Sequence, residues 1–117
     1  MALHPFIAGM LEKMQAAGQP GFSAGTPDEA RQMVAAGRAA IGPGPEMASV
    51  RELSIGTRNG DIPARLLVPN ADPAGLVIYL HGGGWVLASI DDFDTLGREL
   101  AMQSLRRRLI EVADWLS

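Results

Sequence analysis

Cysteine is absent from the 117 residues, which removes disulfides, thiolate metal sites and a cysteine nucleophile together. Histidine is almost as scarce. Only His4 and His81 occur, and the serines beyond Trp85 are Ser89, Ser104 and Ser117, none of them set between glycines. A base and a nucleophile within hydrogen-bond reach are what acyl transfer requires, and the stretch after residue 85 supplies neither. An excess of positive charge is also missing: the net charge is −3 and the pI about 5.2, so no basic field draws the chain to nucleic acid or anionic lipid. The local exception, Arg106, Arg107 and Arg108, reads as a solvated face rather than a phosphate or lipid patch. No apolar run approaches a membrane span, and Met1 to Met10 show no basic region followed by a long apolar core. The expectation is therefore a cytoplasmic protein without a secretory leader. No internal repeat or low-complexity segment is found.

What remains is a chain of one small domain's length, 47% apolar and 20% charged, a globular composition. Its most informative stretch is LVIYLHGGGW, Leu76 to Trp85. Leu76 to Leu80 is too short for a buried helix and rich enough in Val, Ile and Tyr for an interior parallel strand. That strand runs into Gly82, Gly83 and Gly84. Without Cβ atoms these residues can take positive φ and turn their N–H groups toward a ligand, the construction of an anion-stabilising pocket.

The segments around it have readable signals. Leu3, Phe6, Ile7, Met10, Leu11 and Met14 form one face of a helix ending before Gly18, a face that must cover something. Thr26 as N-cap, Pro27 at the first position and Glu29 closing a capping box start a second helix, with Met33, Val34 and Ile41 as its apolar side, stopped by Gly42 to Pro45. Val50 to Thr57 and Ile62 to Val68 read as a hairpin around Asn59-Gly60, and Pro69 and Asn70 to Gly75 turn the chain into the next strand. His4 reads as a solvated residue at a helix start. Asp91, Asp92 and Asp94 open a helix carrying Leu96 and Leu100, where carboxylates favour the macrodipole, rather than forming a metal or acid site.

A hydrophobic strand ending in H-G-G-G-W resembles the oxyanion-hole loop of the hormone-sensitive-lipase branch of the α/β-hydrolase superfamily, a motif known from lipases and esterases. The resemblance extends over residues 1 to about 101. It implies a helical N-terminal cap over the acyl pocket (1–45), a partial α/β-hydrolase core (46–117), an acyl-ester substrate in intact relatives, no metal and no cofactor. It also implies that Gly83 and Gly84 donate backbone N–H bonds to a tetrahedral oxyanion, that Gly82 completes the turn, that His81 braces the loop and that Trp85 packs beneath it. Where the family continues V-L-G-S, this chain has Val86, Leu87, Ala88 and Ser89, a departure that matters if position 88 needs positive φ.

The nucleophile is the difficulty. GFSAG, Gly21 to Gly25, matches G-x-S-x-G at Ser23, but an elbow needs a buried strand before it and a helix after it. Here Gly18, Gln19 and Pro20 precede the match, and the order relative to HGGG is reversed. From Met102 onward the resemblance ends. Leu105, Leu109, Val112 and Leu116 lie at helical spacing, which predicts one long or once-broken helix from about residue 92 to 116, no strand after Leu80 and a sheet of three strands at most. In the superfamily the HGGG strand lies between two later strands, so its backbone groups are expected to lack partners unless it pairs with the hairpin or with another chain. The expected function is a truncated carboxylic-ester hydrolase with its oxyanion loop and without catalytic residues. The rival readings are a non-catalytic partner that pairs with a homologous chain, and a relic with no function.

Overall fold

Helix α1, Pro5–Ala16, is capped by His4, whose ring Nδ1 accepts from the Phe6 amide at 3.2 Å. Our computed structural model describes residues 2–72, 75–104 and the backbone of 107–112. The apolar stripe of α1 lies on one side as its spacing requires, but it is not buried: Phe6 is 71% exposed, no residue of the helix is buried, and Leu11 and Met14 only line an open cavity with Phe22 and Met33. Helix α2, Pro27–Ala36, begins with the full capping box, Glu29 N to Thr26 Oγ1 and Thr26 N to Glu29 Oε2. These bonds hold the Glu29 carboxyl below its ordinary pKa, the backbone bond from Thr26 first. Gly37 interrupts the run expected to reach Ile41, so Arg38–Ile41 forms a separate short helix, α3.

The hairpin forms as the Asn59-Gly60 signal requires, with longer strands and a tighter turn than the spacing suggested. Strand β1, Ser49–Thr57, pairs antiparallel with β2, Gly60–Val68, in a register that puts Thr57 opposite Gly60. Gly60 takes φ +118° at the turn, a conformation that favours glycine. Strand β3, Gly75–Leu80, follows, and helix α4, Ile90–Gln103, runs back across the sheet. Residues 73 and 74, part of the expected turn into β3, lie outside the described residues.

The last element overturns an expectation. Arg107–Val112 is a strand, β4, not the continuation of α4. It lies between the hairpin and the HGGG strand, giving the order β1-β2-β4-β3. β4 pairs antiparallel with β2 (Leu66 opposite Ile110) and parallel with β3 (Ile78 opposite Ile110). Among the described residues the sheet thus has four strands, and β3 does not lack a partner. The physical reason is non-local. Helical spacing of Leu105, Leu109 and Val112 measures only local periodicity, and propensity differences between such residues are below about 1 kcal/mol. Each backbone group left buried and unpaired costs about 1–3 kcal/mol, and a segment between two strands satisfies groups on both sides. The expected helix beyond residue 112, including Trp115 and Leu116, lies outside the described residues.

β3 is also not interior. Among the described strands it is an edge, opposite β1, and its residues divide between two faces. Val77 and Tyr79 join Met47 around Leu67 and Ala101, the buried cluster under α4. Leu76, Ile78 and Leu80, on the opposite face, are each more than half exposed.

An ion-pair network ties α4 to the hairpin. The Arg65 guanidinium contacts Glu52 at 2.6 Å, Asp91 at 2.8 Å and Asp94 at 2.9 Å, and Arg98 reaches Asp94 at 2.6 Å. Burial of Arg65 disfavours its charge, yet three carboxylates outweigh that and raise its pKa. The helix-start carboxylates thus serve as anchors for arginines of other elements. Thr95 Oγ1 and Arg98 Nη1 also donate to the carbonyls of Gly42 and Pro45, fastening the glycine-proline loop to α4.

Candidate active-site loop

The loop is built by the end of β3 and closed on itself. Val86 and Leu87 both donate to the Gly83 carbonyl, at 3.2 and 2.9 Å. Between them the chain is left-handed: Gly84 has φ +59° and Trp85 φ +60°, the positive pair of a primed turn. Gly83 itself stands at φ +151°, and a Cβ there would fall on the Leu87 carbonyl oxygen. The second and third glycines are therefore conformational requirements. Gly82 is not, since its Cβ would meet open space and its φ is ordinary. Ala88, where the family has glycine, takes φ +74°. The departure falls on a left-handed residue, which costs a non-glycine side chain about 1–2 kcal/mol.

His81 lies at the head of the loop. Its Nδ1 is 2.9 Å from the Gly82 carbonyl, and since a carbonyl only accepts, Nδ1 carries the proton. The ring stacks on Phe93 of α4 with centroids 5.3 Å apart and 12° between planes. Its Nε2 is buried and has no hydrogen-bond partner among the described residues. Trp85, expected to pack beneath the loop, is instead 71% exposed and itself left-handed.

Ser23 lies in a turn closed by Ala24 N to Gly21 O at 3.0 Å, with no strand before it. Its context is not that of an elbow. The fold nevertheless brings it near the loop: a cavity of about 340 Å³ is lined by Phe22, Ser23 and Ala30 on one side and by Gly83, Gly84 and Leu87 on the other. The spacing of the motifs, some sixty residues apart in sequence, contained no signal for that juxtaposition.

Sequence reasoning missed two arginines. Arg31 Nε of α2 donates to the Val86 carbonyl at 2.7 Å. Arg38 pairs through Nε with Asp92 Oδ1 at 2.5 Å and through Nη2 with Ser89 Oγ at 3.4 Å. Burial would raise the Asp92 pKa, but the bonds from Arg38 and Ser89 outweigh it and hold the carboxyl below its usual range.

The parallel strand β3 running into a glycine turn, joined to the antiparallel hairpin through β4 and packed with it under α4, gives the chain a partial α/β-hydrolase fold. Its relatives of that fold are esterases. It is 36% identical over 114 residues to ethyl acetate hydrolase of Pseudomonas putida, a match covering 89% of this chain and 36% of that protein. It superposes on an ester hydrolase from the metagenome of Lake Arreo with a TM-score of 0.80 at 28% identity, over 95% of this chain and 37% of the other. On a hyperthermophilic esterase of the archaeon Pyrobaculum calidifontis the TM-score is 0.81 at 26% identity, over 96% and 36%. No family model matches the chain. The chain thus spans little more than a third of the length of these relatives. Among the described residues no helix is long and apolar enough to cross a membrane.

Proposed function

We propose that this chain carries the oxyanion-stabilising loop of a hormone-sensitive-lipase-type carboxylic-ester hydrolase and that, by itself, it does not turn over esters. The observation that carries this reading is the backbone of Gly83 and Gly84, both at positive φ, with the amides of Val86 and Leu87 closing the turn. The glycine N–H groups are the donors for a tetrahedral oxyanion on an acyl ester, with Gly82 completing the turn and His81 bracing it from Phe93. Residues 1–45 act as the cap and 46–117 as part of the core. Two features support inactivity. Gly82 and Gly84 are exposed, so water screens dipoles whose catalytic value depends on a dry site. Among the described residues Ser23 has no strand-to-helix elbow and no hydrogen bond to a base, so its hydroxyl is as weak a nucleophile as free serine.

With p-nitrophenyl butyrate the rate should equal that of a protein blank, and a fluorophosphonate probe should leave the mass unchanged. Saturable turnover that survives purification and disappears in Gly83→Pro overturns the inactivity, and a stoichiometric adduct on Ser23 overturns the assignment of that residue.

The edge of β3 favours a second reading, in which the chain works as a partner to a homologous chain. Gly75–Leu80 contains no charge and no proline to discourage strand addition, and Leu76, Ile78 and Leu80 offer apolar surface beside that edge. On mixing with a full-length homologue, sedimentation should show a complex that Ile78→Lys abolishes. Free components at micromolar concentrations for the unsubstituted chain would discard this reading.

A further inference from the structure

The left-handed pair Gly84 and Trp85 needs something to hold it. Glycine tolerates that conformation, but a bulky residue at φ +60° is an outlier that persists only when its surroundings fix it. Trp85 is too exposed to be fixed by packing. The turn's own hydrogen bonds, both to the Gly83 carbonyl, secure its entry. Its exit is secured from elsewhere, because the Val86 carbonyl accepts from Arg31 Nε at 2.7 Å, across 55 residues of sequence.

Arg31 is itself oriented. Its Nη1 is 2.8 Å from Asp28 Oδ1, one turn earlier on α2, so the guanidinium is held at one end by the helix and at the other by the loop. As an ion pair this contributes little, since Arg31 is 52% and Asp28 83% exposed. As an orienting contact it leaves Nε directed at a carbonyl. Seven positions along, Arg38 binds Asp92 and Ser89 at the start of α4. The helical pair α2–α3 therefore grips both ends of the segment 86–92, and the buried Ala30, beside Arg31, lines the cavity opposite Gly83 and Gly84.

We propose that Arg31 is a positioning residue, through which helix α2 sets the left-handed turn at Gly84–Trp85 and with it the direction of the glycine N–H groups. This rests on the reading of the loop as an oxyanion site, and the two can fail separately. In ¹⁵N-labelled protein, Arg31→Ala should speed amide hydrogen exchange of Val86 and Leu87 at least tenfold, while the β1–β2 amides stay within twofold. Arg31→Lys, which keeps a cationic donor group, should recover most of that protection. Exchange that is unchanged in Arg31→Ala, or that rises equally in the hairpin, overturns the proposal. In the second arm, butylphosphonate, a tetrahedral oxyanion, should shift the Gly83 and Gly84 amides of the unsubstituted chain, with at least fivefold weaker binding in Arg31→Ala. If the phosphonate leaves those amides unmoved while the exchange contrast holds, the oxyanion reading falls and the positioning role of Arg31 stands. Equal phosphonate binding in both proteins, with shifts present, overturns the positioning role.

Discussion

Ile110→Pro should abolish cooperative unfolding of the sheet. Ile110 lies opposite Leu66 of β2 and Ile78 of β3, in the strand that joins the hairpin to the HGGG strand. Proline has no N–H to give to either neighbour, and its ring does not fit a strand paired on both sides. The lost bond exposes a partner carbonyl to burial without a donor, at about 1–3 kcal/mol. β3 has no other partner among the described strands, so disruption of β4 also frees β3 and the loop it carries. For a small domain of marginal stability, a loss of that size is a large part of the total. In urea titrations followed by circular dichroism, the expected curve has no resolved native baseline. In the unsubstituted chain, the carbon secondary shifts of residues 107–112 should be extended. A sigmoidal transition for Ile110→Pro with an unchanged midpoint, or helical shifts across 107–112, would falsify the four-stranded sheet.

Gly83→Ala should weaken the folding equilibrium more than tenfold relative to Gly82→Ala, with Gly84→Ala between the two. Gly82→Ala places a methyl group in open space at an ordinary φ, and stability should change by no more than about 0.5 kcal/mol. Gly84→Ala meets no neighbour but must hold φ +59°, at a cost of about 1–2 kcal/mol. Gly83→Ala suffers both burdens. Its φ of +151° is strained for an L-residue, and its methyl would fall on the Leu87 carbonyl oxygen. Backbone strain alone is worth about 1–3 kcal/mol, and the collision adds displacement of the Leu87 peptide that closes the turn. The reverse change, Ala88→Gly, relieves a left-handed residue and should stabilise by roughly 0.5–1 kcal/mol after the added chain entropy of glycine. Urea midpoints of the four variants test the ordering. A Gly83→Ala protein as stable as Gly82→Ala would mean that the turn does not have this shape.

Local chemistry made much of this protein legible. Asn59-Gly60 announces its hairpin because few residue pairs accept the turn's positive φ. Thr26 and Glu29 announce the start of α2 because their side chains satisfy amides only a few atoms away. HGGGW announces a turn at the end of β3 because Gly83 and Gly84 accept the positive φ it needs, and the resemblance to esterases follows from those residues. Each of these signals lies within a few positions of what it controls.

What local spacing could not decide was pairing over distance. Leu105, Leu109 and Val112 fit a helix, yet 107–112 became β4, because β2 and β3 present backbone groups on both sides of it. The apolar face of α1 is equally regular and is not buried, since periodicity states which side can be buried but not how closely anything packs against it. Positive φ at Trp85 and Ala88, the cavity joining Ser23 to Gly83, and the bond from Arg31 to the Val86 carbonyl all depend on segments some fifty residues or more apart, or on strain held by such contacts. The sequence by itself determined the turns, the caps and the glycine loop, whose causes are side chains and φ preferences within one turn of chain. Only the tertiary structure decided the order of the strands and the orientation of the loop, because both are set by hydrogen bonds whose partners are distant in sequence.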